Sequence, residues 1–581
     1  LQDHPLTSLE LIDQPIIESA KSSPIAKHHL SWVKGNPKAI LIAETEGKPI
    51  HPTSFIQDPQ EMASVWEVRK RGLELLLSKR SYKRALGFLE DMTIPPESLA
   101  PFIKRFVKIL GPFADEMSIY GHAGSGCLHI RPFVDMRSPK TLSTIKKIME
   151  ETTDLVLEYG GTLSGEHGDG MIRSWLNKKL FGEEIYKQFL EVKNAFDPHH
   201  ILNPNKIVNA PFPTETHSFP KEERNTFLDF SKEGGFDLSL DLCNGNGQCR
   251  KSIGLMCPSY QVTRDEYDVT RGRAQALRQT PGLHEPSLKE ILSLCLQCRG
   301  CKTECPSSVD MAKMKSEVLF HQSKGFKDYL FASFPKIIPY ISWRKRFSSQ
   351  ISPFEGKKEV VLFNDTYTEF IRPNIGLSAV KILKSLGYKV YVPPWHCCQR
   401  PLFSKGFLKE ATVGVQKVID LLTPYALKGL PILTLEPSCT SMLQEDILSL
   451  PLKRANLISD HITPLDHFLL EVMDQIQTPT AHLLVHTHCH QKSSSYKDAT
   501  KELLQKVTSY QVEEIASGCC GMAGSFGYEH PKISKAIYNQ VLHPTLIENP
   551  NSLVVANGFS CRTQTKKFKP LHFTELLCLN G

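Results

Sequence analysis

Seven of the chain's sixteen cysteines fall between Cys243 and Cys305, and their spacing limits what this region can fold around. They read Cys243-x5-Cys249-x7-Cys257-Pro258, then Cys295-x2-Cys298-x2-Cys301-x3-Cys305-Pro306. Two-residue gaps let one tight loop set three thiolates at three corners of a cube, and the proline lets the chain leave without a spare N–H. The second run therefore predicts a [4Fe-4S] cluster on Cys295, Cys298 and Cys301, completed by Cys257, with Cys305 reaching across to a second cluster. Structural zinc usually takes two separated Cys-x-x-Cys pairs, not four cysteines in eleven residues. Disulfides are disfavoured too, because closely packed cysteines in a long chain without a signal peptide point to a reducing compartment.

The first run departs from a two-cluster pattern. Asn246 stands where a second cysteine is expected, leaving Cys243, Cys249 and Cys305 as thiolates for that cluster. Either a [3Fe-4S] cluster or a [4Fe-4S] cluster with a non-cysteine or exchangeable fourth ligand fits such a set.

At 581 residues the chain has room for three or four domains with full cores. A net charge of +7 is small for this length, and no lysine-arginine block or aromatic-basic repeat suggests nucleic acid. No apolar run reaches the roughly eighteen residues of a transmembrane helix. The nearest stretch, Tyr329 to Trp343, is aromatic but broken by Pro335, Lys336 and Pro339 and followed by Arg344-Lys345-Arg346. A linker packed on its neighbours is favoured there over a membrane-surface contact. A cytoplasmic protein, at most peripheral to an inner membrane, is the expectation.

Residues 1 to about 210 alternate strand-like and helical stretches. Strands are expected over Lys38–Thr45, Arg84–Asp91, Met117–Tyr120 and Leu128–Pro132, and helices over Glu61–Leu77, Glu97–Leu110 and Thr141–Tyr159. This order predicts an α+β domain on an antiparallel sheet with helices to one side. Two glycine-rich motifs lie inside it, Tyr120-Gly-His122-Ala-Gly-Ser-Gly-Cys127-Leu-His129 and Gly160-Gly-Thr-Leu-Ser-Gly-Glu166-His167-Gly-Asp-Gly170. Imidazole and carboxylate suit a divalent metal, Zn, Mn or Fe, and glycines let backbone and substrate approach. A lone histidine in such a loop is more often a structural hydrogen-bonder, but the two motifs together favour a metal.

These motifs, with Trp66-Glu-Val-Arg69-Lys70, Glu90-Asp91, Pro95-Pro96 and Phe196-Asp-Pro-His-His-Ile-Leu-Asn-Pro-Asn-Lys206, resemble the C-terminal substrate domain of FAD-linked oxidases. That family includes D-lactate, glycolate and D-2-hydroxyglutarate dehydrogenases. The resemblance implies that His122, His129 and Glu166 hold a metal, that His167 is the general base, and that Arg69 grips the substrate carboxylate. Cys127 departs from the asparagine usual in the simpler lactate dehydrogenases. An N-terminal FAD-binding domain is part of the resemblance; its absence here, with Leu1 first, leads us to expect a piece of something longer, with FAD held mostly by a separate domain or subunit.

Residues 211–240 are polar and read as a linker, followed by a ferredoxin-like cluster domain over 241–325. In it, Arg271-Gly-Arg273-Ala274 is expected to pack or to tune a cluster rather than to meet an acidic partner, and loop N–H groups near Gly245–Gly247 to bond cluster sulfurs. After a second linker, 326–355, the chain shows a weak duplication. Each half opens with an apolar strand, Glu359–Phe363 or His482–His486, and then carries a Cys-Cys pair and a later cysteine. The first half has Cys397-Cys398 and Cys439; the second has Cys489, Cys519-Cys520 and Cys561. The first lacks a leading cysteine, with Phe363-Asn364-Asp365 where one is expected. The halves, 356–475 and 476–581, resemble the paired CCG domains of heterodisulfide reductases, anaerobic glycerol-3-phosphate dehydrogenase and glycolate oxidase iron-sulfur subunits. The resemblance makes Cys398, Cys439, Cys489, Cys519, Cys520 and Cys561 candidate ligands for a cluster or zinc.

The expected fold class is multidomain α+β: an FAD-linked oxidase C-terminal domain, a helical two-cluster domain and two α/β CCG repeats. The resemblance implies a dehydrogenase that oxidises a D-2-hydroxy acid, D-2-hydroxyglutarate or D-lactate before glycolate, and passes electrons through FAD and clusters to a quinone or protein acceptor. Two rivals are a non-catalytic electron-transfer subunit and a heterodisulfide-reductase-like enzyme working at the CCG end.

Overall fold

The structure is a computed structural model that describes residues 5–23, 26–46, 55–79, 81–136, 140–213, 224–342, 344–352, 355–473, 480–507 and 509–579. It divides into two compact units, Leu1–Glu222 and Glu223–Gly581.

The first unit is built on a six-stranded antiparallel sheet of β1 (Leu6–Asp13), β2 (Ala39–Thr45), β3 (Lys83–Ala85), β4 (Leu89–Thr93), β5 (Met117–His122) and β6 (Cys127–Asp135). Its order is β2-β1-β5-β6-β3, with β4 also pairing β6. The run Leu6–Asp13, unanticipated as a strand, supplies a central one. The helices lie on both faces rather than one. Leu128 and Ile130 pack against helices Leu99–Leu110 and Thr141–Glu158, while Ile12, Tyr120 and Phe133 pack against Gln14–Ser22, Pro59–Lys70 and Gly72–Leu77. The cause is visible in β6, where every residue except Asp135 is buried, so both faces of the pleat need cover. The single helix expected over Glu61–Leu77 breaks at Arg71 into two.

Asp13 ends β1, and its carboxylate accepts from the Ile119 N–H at 2.6 Å and the Ser118 hydroxyl at 2.8 Å. Burial nevertheless pushes its carboxyl from 3.8 up to about 6. The folded state therefore binds this proton more tightly than the unfolded chain. Its contribution to stability is full below 3.8 and is lost as pH rises through about 6. The span amounts to about 3 kcal/mol. Asp13→Asn is expected to flatten the fall in thermal stability of this unit between about pH 4 and pH 7, followed by circular dichroism.

In the second unit, short helices link the two cysteine runs, including Pro258–Thr263, Thr270–Gln279 and Pro286–Ile291. The described part of the first polar segment, from 224 onward, is core rather than free linker. Leu228 and Phe230 are buried, and the Phe227 and Leu228 N–H groups both donate to Glu317, at 2.8 Å each. Lys221, Glu222 and Glu223 lie outside the described residues, as does Trp343. The segment 326–355 carries a helix, Phe326–Ile341.

Two parallel sheets follow. The first joins β7 (Lys358–Leu362), β8 (Tyr388–Tyr391), β9 (Ile432–Thr434) and β10 (Ile462–Pro464) in the order β10-β9-β7-β8. The second joins β11 (Ala481–Val485), β12 (Tyr510–Glu514) and β13 (Leu553–Val555) in the order β12-β11-β13. Both are flanked by helices, the α/β arrangement that an apolar strand followed by an amphipathic helix dictates. Among the described residues, no helix is long and apolar enough to cross a membrane.

Candidate active site and cysteine centres

The first unit's site grows from strand register. Hairpin β5–β6 pairs Tyr120 with His129 and His122 with Cys127, and β4 sets Glu90 opposite His129. Pairing of Leu11 with Gly121 brings Glu10 of β1 beside His122. Side chains two apart on a strand share a face, so Glu10, Glu90, Tyr120, His122, His129 and Arg131 converge. The loop Ser164–Gly168 closes over them.

Asp91 holds that loop. It is the extra residue of a bulge between Glu90 and Met92, with φ of +79°, a conformation non-glycine residues rarely adopt. Its carboxylate accepts from the N–H groups of Glu166 (3.0 Å) and His167 (2.8 Å) and from the Ser164 hydroxyl (2.5 Å). Gly165 is required here, because a Cβ would lie 1.9 Å from Thr93 Oγ1. Buried Arg173 fastens the loop to β4, donating to the Glu90 carbonyl at 2.5 Å and the Gly168 carbonyl at 2.6 Å. Glu90 in turn pairs with Arg131.

At the centre, the Nε2 atoms of His122, His129 and His167 lie 3.4, 3.2 and 3.3 Å from one carboxylate oxygen, Glu166 Oε1. Asp91, His129, Glu166 and His167 offer ligand atoms mutually within 4.8 Å. The donor chemistry fits a cation. Nδ1 of His122 contacts Glu10 Oε1 at 2.7 Å, the geometry of N–H donation, which turns the lone pair of Nε2 toward Glu166. Burial lowers His129 to about 4, so its ring is neutral near pH 7, the form that ligates metals. Lone pairs facing a carboxylate repel one another unless a positive ion lies among them.

Arg69 stands at the edge of this group. Glu10 Oε2 accepts from its Nε at 2.7 Å and lies 2.6 Å from Nη2, and the guanidinium lies 5.7 Å from the Tyr120 ring centre. One carboxylate thus orients both His122 and Arg69. Glu10→Gln is expected to weaken divalent-metal binding at this site about 10- to 100-fold by loosening His122, read by metal titration. Cys127 turns to Asp91, its Sγ 3.5 Å from Oδ1, and burial pushes the thiol up to about 11. It is a protonated donor within the bulge.

All sixteen cysteines are free thiols. Burial pushes Cys257, Cys298, Cys301 and Cys305 above the usual thiol range. Their neighbours sort them into two groups. Cys295 acts on Cys257; Cys257 and Cys295 act on Cys301; and Cys489, Cys301 and Cys257 act on Cys298. Cys305 instead feels Cys243, and Cys249 feels both Cys257 and Cys243, so Cys257 stands between the two groups. Backbone N–H groups from Val309, Ser307 and Ser308 reach Cys305, and that of Gly300 reaches Cys298. In the Gly245–Gly247 loop the Asn246 and Gln248 N–H groups are taken by the side chains of Asn244 (3.1 Å) and Asn246 (3.0 Å) instead of sulfur. Asn246 is exposed and spends its carbonyl locally. Arg273 is buried against Asp268 and Ser259, and Arg271 holds the Gly245 carbonyl at 3.0 Å.

The duplicated halves superpose in logic as well as sequence. Asp365 caps helix Thr366–Phe370 after β7, and His488 caps helix Cys489–Lys492 after β11. Thr366, not the Phe363–Asp365 stretch, is therefore the counterpart of Cys489. The Gln399 N–H meets Cys397 Sγ at 3.4 Å, as the Gly521 N–H meets Cys519 Sγ at 3.4 Å. Cys439 and Cys561 open helices Pro437–Gln444 and Phe559–Gln564 after β9 and β13.

In the second half, Cys520 and Cys561 gather with His486 as one potential ligand set. His486 Nδ1 meets Ser517 Oγ at 2.8 Å, while its Nε2 is buried without a partner among the described residues. Hydrogen bonding from Cys519 draws both Cys489 and Cys520 down, with Cys561 helping at Cys520. Low-lying buried thiols beside an orphaned ring nitrogen suit a thiophilic metal or cluster. Sequence reasoning missed His486; its only signal was the strand-end position three residues before Cys489. Cys298, Cys489 and Cys519 share one core cluster, and His490 spans from the Gln297 carbonyl (3.1 Å) to Ser441 Oγ (2.8 Å).

Comparison with known proteins matches three segments of the chain. Residues 2–207 match the family described as FAD linked oxidases, C-terminal domain, residues 239–309 the 4Fe-4S dicluster domain, and residues 483–566 the Cysteine-rich domain. Among individual proteins, the chain is 27% identical over 617 residues to D-2-hydroxyglutarate dehydrogenase of Pantoea ananatis (strain AJ13355), across 87% of this chain and 59% of that protein. It is 28% identical over 215 residues to the glycolate oxidase subunit GlcD of Bacillus subtilis (strain 168), across 34% of this chain and 44% of that protein. It is also 33% identical over 118 residues to the D-lactate dehydrogenase of Archaeoglobus fulgidus, across 20% of this chain and 26% of that protein. The chain spans 59% of the length of the first of these relatives.

Proposed function

We propose that this chain is the substrate-handling and electron-carrying part of a flavin- and iron–sulfur-dependent dehydrogenase that oxidises a D-2-hydroxy acid. D-2-hydroxyglutarate or D-lactate is the favoured substrate, with glycolate next. The observation that carries the reading is the convergence of three imidazole nitrogens on Glu166 Oε1, at 3.2 to 3.4 Å. In this reading the substrate domain ends near 210, the cluster domain runs 241–325, and the CCG domains cover 356–475 and 476–581.

His122, His129 and Glu166 hold the metal, and the two cysteine groups hold the clusters, with Cys257 beside Cys295, Cys298 and Cys301, and Cys305 beside Cys243 and Cys249. When bound, a divalent metal supplies Lewis acidity at the substrate hydroxyl, FAD a hydride acceptor, and the clusters one-electron carriers. Arg69 orients the substrate carboxylate, itself held by Glu10. His167 receives the hydroxyl proton at Nε2, on a loop fixed by Asp91 and Arg173. The buried wall of Tyr120, His129 and Arg131 excludes water behind the substrate. A domain or separate protein that binds FAD makes the enzyme whole, and a quinone or electron-transfer protein takes the electrons, with Cys398, Cys439, Cys489, Cys519, Cys520 and Cys561 at that end.

The test is anaerobic. The chain is reconstituted with iron and sulfide and supplied with an FAD-binding domain, and flavin and cluster absorbance are followed as D- and L-2-hydroxy acids are added. Bleaching by one D-acid, lost in His167→Ala, is the expected result. If every acid leaves both chromophores oxidised while dithionite reduces the clusters, the chain is an electron-transfer module.

A further inference from the structure

Helix Phe326–Ile341 presents an apolar stripe to solvent. Phe326 is 80% exposed, Tyr329 61%, and Leu330 and Phe334 42% each. Phe326, Leu330 and Phe334 follow one another at intervals of four, so they form a single ridge with Tyr329 at its side. The helix is nonetheless anchored. Ala332, Ser333 and Ile338 are buried, Tyr329 meets Phe407 edge-on at 6.1 Å, and Ser342 donates to the Phe370 carbonyl at 2.7 Å. Large apolar side chains held out by an ordered helix are a contact surface, because water alone gives them no reason to be there.

Charge identifies the occupant. Between residues 324 and 346 the sequence carries Lys324, Lys327, Lys336, Arg344, Lys345 and Arg346 against one acid, Asp328. Asp328 is turned to Lys289 at 2.9 Å and accepts from the Gly325 N–H, just before the helix, at 3.1 Å. Lys327 and the Arg344–Arg346 run are exposed, so cations flank both ends of the ridge, while Lys324 turns its ammonium to the Phe320 and Gln322 carbonyls. Aromatic and leucine side chains on one face with lysine and arginine at the margins match an anionic lipid surface, where rings sink to the headgroup boundary and cations meet phosphates.

We propose that helix Phe326–Ile341 lies in the plane of an anionic membrane and docks the protein there through Phe326, Tyr329, Leu330 and Phe334, with the flanking lysines and arginines on lipid phosphates. The contact depends on none of the substrate assignments above.

The experiment is co-sedimentation of the full chain with vesicles of phosphatidylglycerol and phosphatidylethanolamine, or of phosphatidylcholine alone. Binding to the anionic vesicles, weakened by salt, and little to phosphatidylcholine is the expected result. Phe326→Ser with Leu330→Ser and Phe334→Ser is expected to weaken binding by about tenfold or more. Arg344→Gln with Lys345→Gln and Arg346→Gln is expected to remove much of the salt dependence. Unchanged cluster absorbance and circular dichroism establish that both variants fold. Failure to sediment with anionic vesicles, or equal binding by the serine variant, overturns the proposal. So does a dimer in vesicle-free buffer that the serine variant dissociates, since a second copy would then cover the ridge.

Discussion

Glu166→Gln is expected to empty the metal site and to lower kcat/KM about a thousandfold in the reconstituted enzyme. The amide keeps the size and one oxygen of the carboxylate but not its charge. In the native site three imidazole nitrogens crowd one anionic oxygen at 3.2 to 3.4 Å, an arrangement that a divalent cation among them would stabilise. With glutamine the charge that balances a divalent ion is gone, while Asp91 is already committed to the Glu166 and His167 N–H groups. The metal's share of transition-state charge stabilisation is several kcal/mol, which sets the thousandfold scale. Metal content by mass spectrometry and steady-state kinetics are read together. A metal-replete Glu166→Gln enzyme with near-native kcat/KM would remove the metal from the proposed mechanism.

How much of this could be seen in the sequence depends on how far apart the partners lie along the chain. His122 and His129 were legible because a glycine-rich hairpin keeps them seven residues apart, and Glu166 and His167 because they adjoin. Glu10 was not, since its partner His122 is 112 residues away and Leu6–Asp13 shows only mixed alternation. Asp91 was quoted as part of a motif, yet its role comes from a bulge and a positive φ, which no side-chain pattern announces. The helices on the second face were hidden for a related reason. A strand buried on both sides, such as β6 with His129 facing Glu166 and Arg131 paired with Glu90, reads as half-polar although every residue but Asp135 is buried. Placing the first half's vacancy at Phe363–Asp365 missed by one residue. Helix caps, here Asp365 and His488, fix the register between the halves and point to Thr366.

Cys257→Ala and Cys305→Ala are expected to delete different clusters, each the one served by the other cysteine run. Sequence proximity would assign Cys257 to Cys243 and Cys249, and Cys305 to Cys295, Cys298 and Cys301. The proposed ligand sets cross them. Cys257 opens helix Pro258–Thr263 with φ of +54°, a left-handed turn that carries its sulfur toward Cys295 and Cys301, while Cys305 ends helix Gly300–Glu304 and faces Cys243. Losing Cys257 leaves three thiols, half-buried Cys295 and buried Cys298 and Cys301, around an incomplete cube, and roughly four irons per chain are expected to go. Cys305→Ala strips the cluster that already lacks a ligand at Asn246, leaving Cys243 and Cys249 with no third thiolate. Iron analysis and electron paramagnetic resonance of the dithionite-reduced variants distinguish the two. In Cys305→Ala the cluster next to Cys489 survives, so the signal of an ordinary reduced [4Fe-4S] centre persists; in Cys257→Ala that signal disappears and the centre beside Asn246 is seen alone. The opposite pattern, with Cys305→Ala extinguishing the Cys295–Cys301 centre, would mean that each run closes its own cluster and that the crossing is wrong.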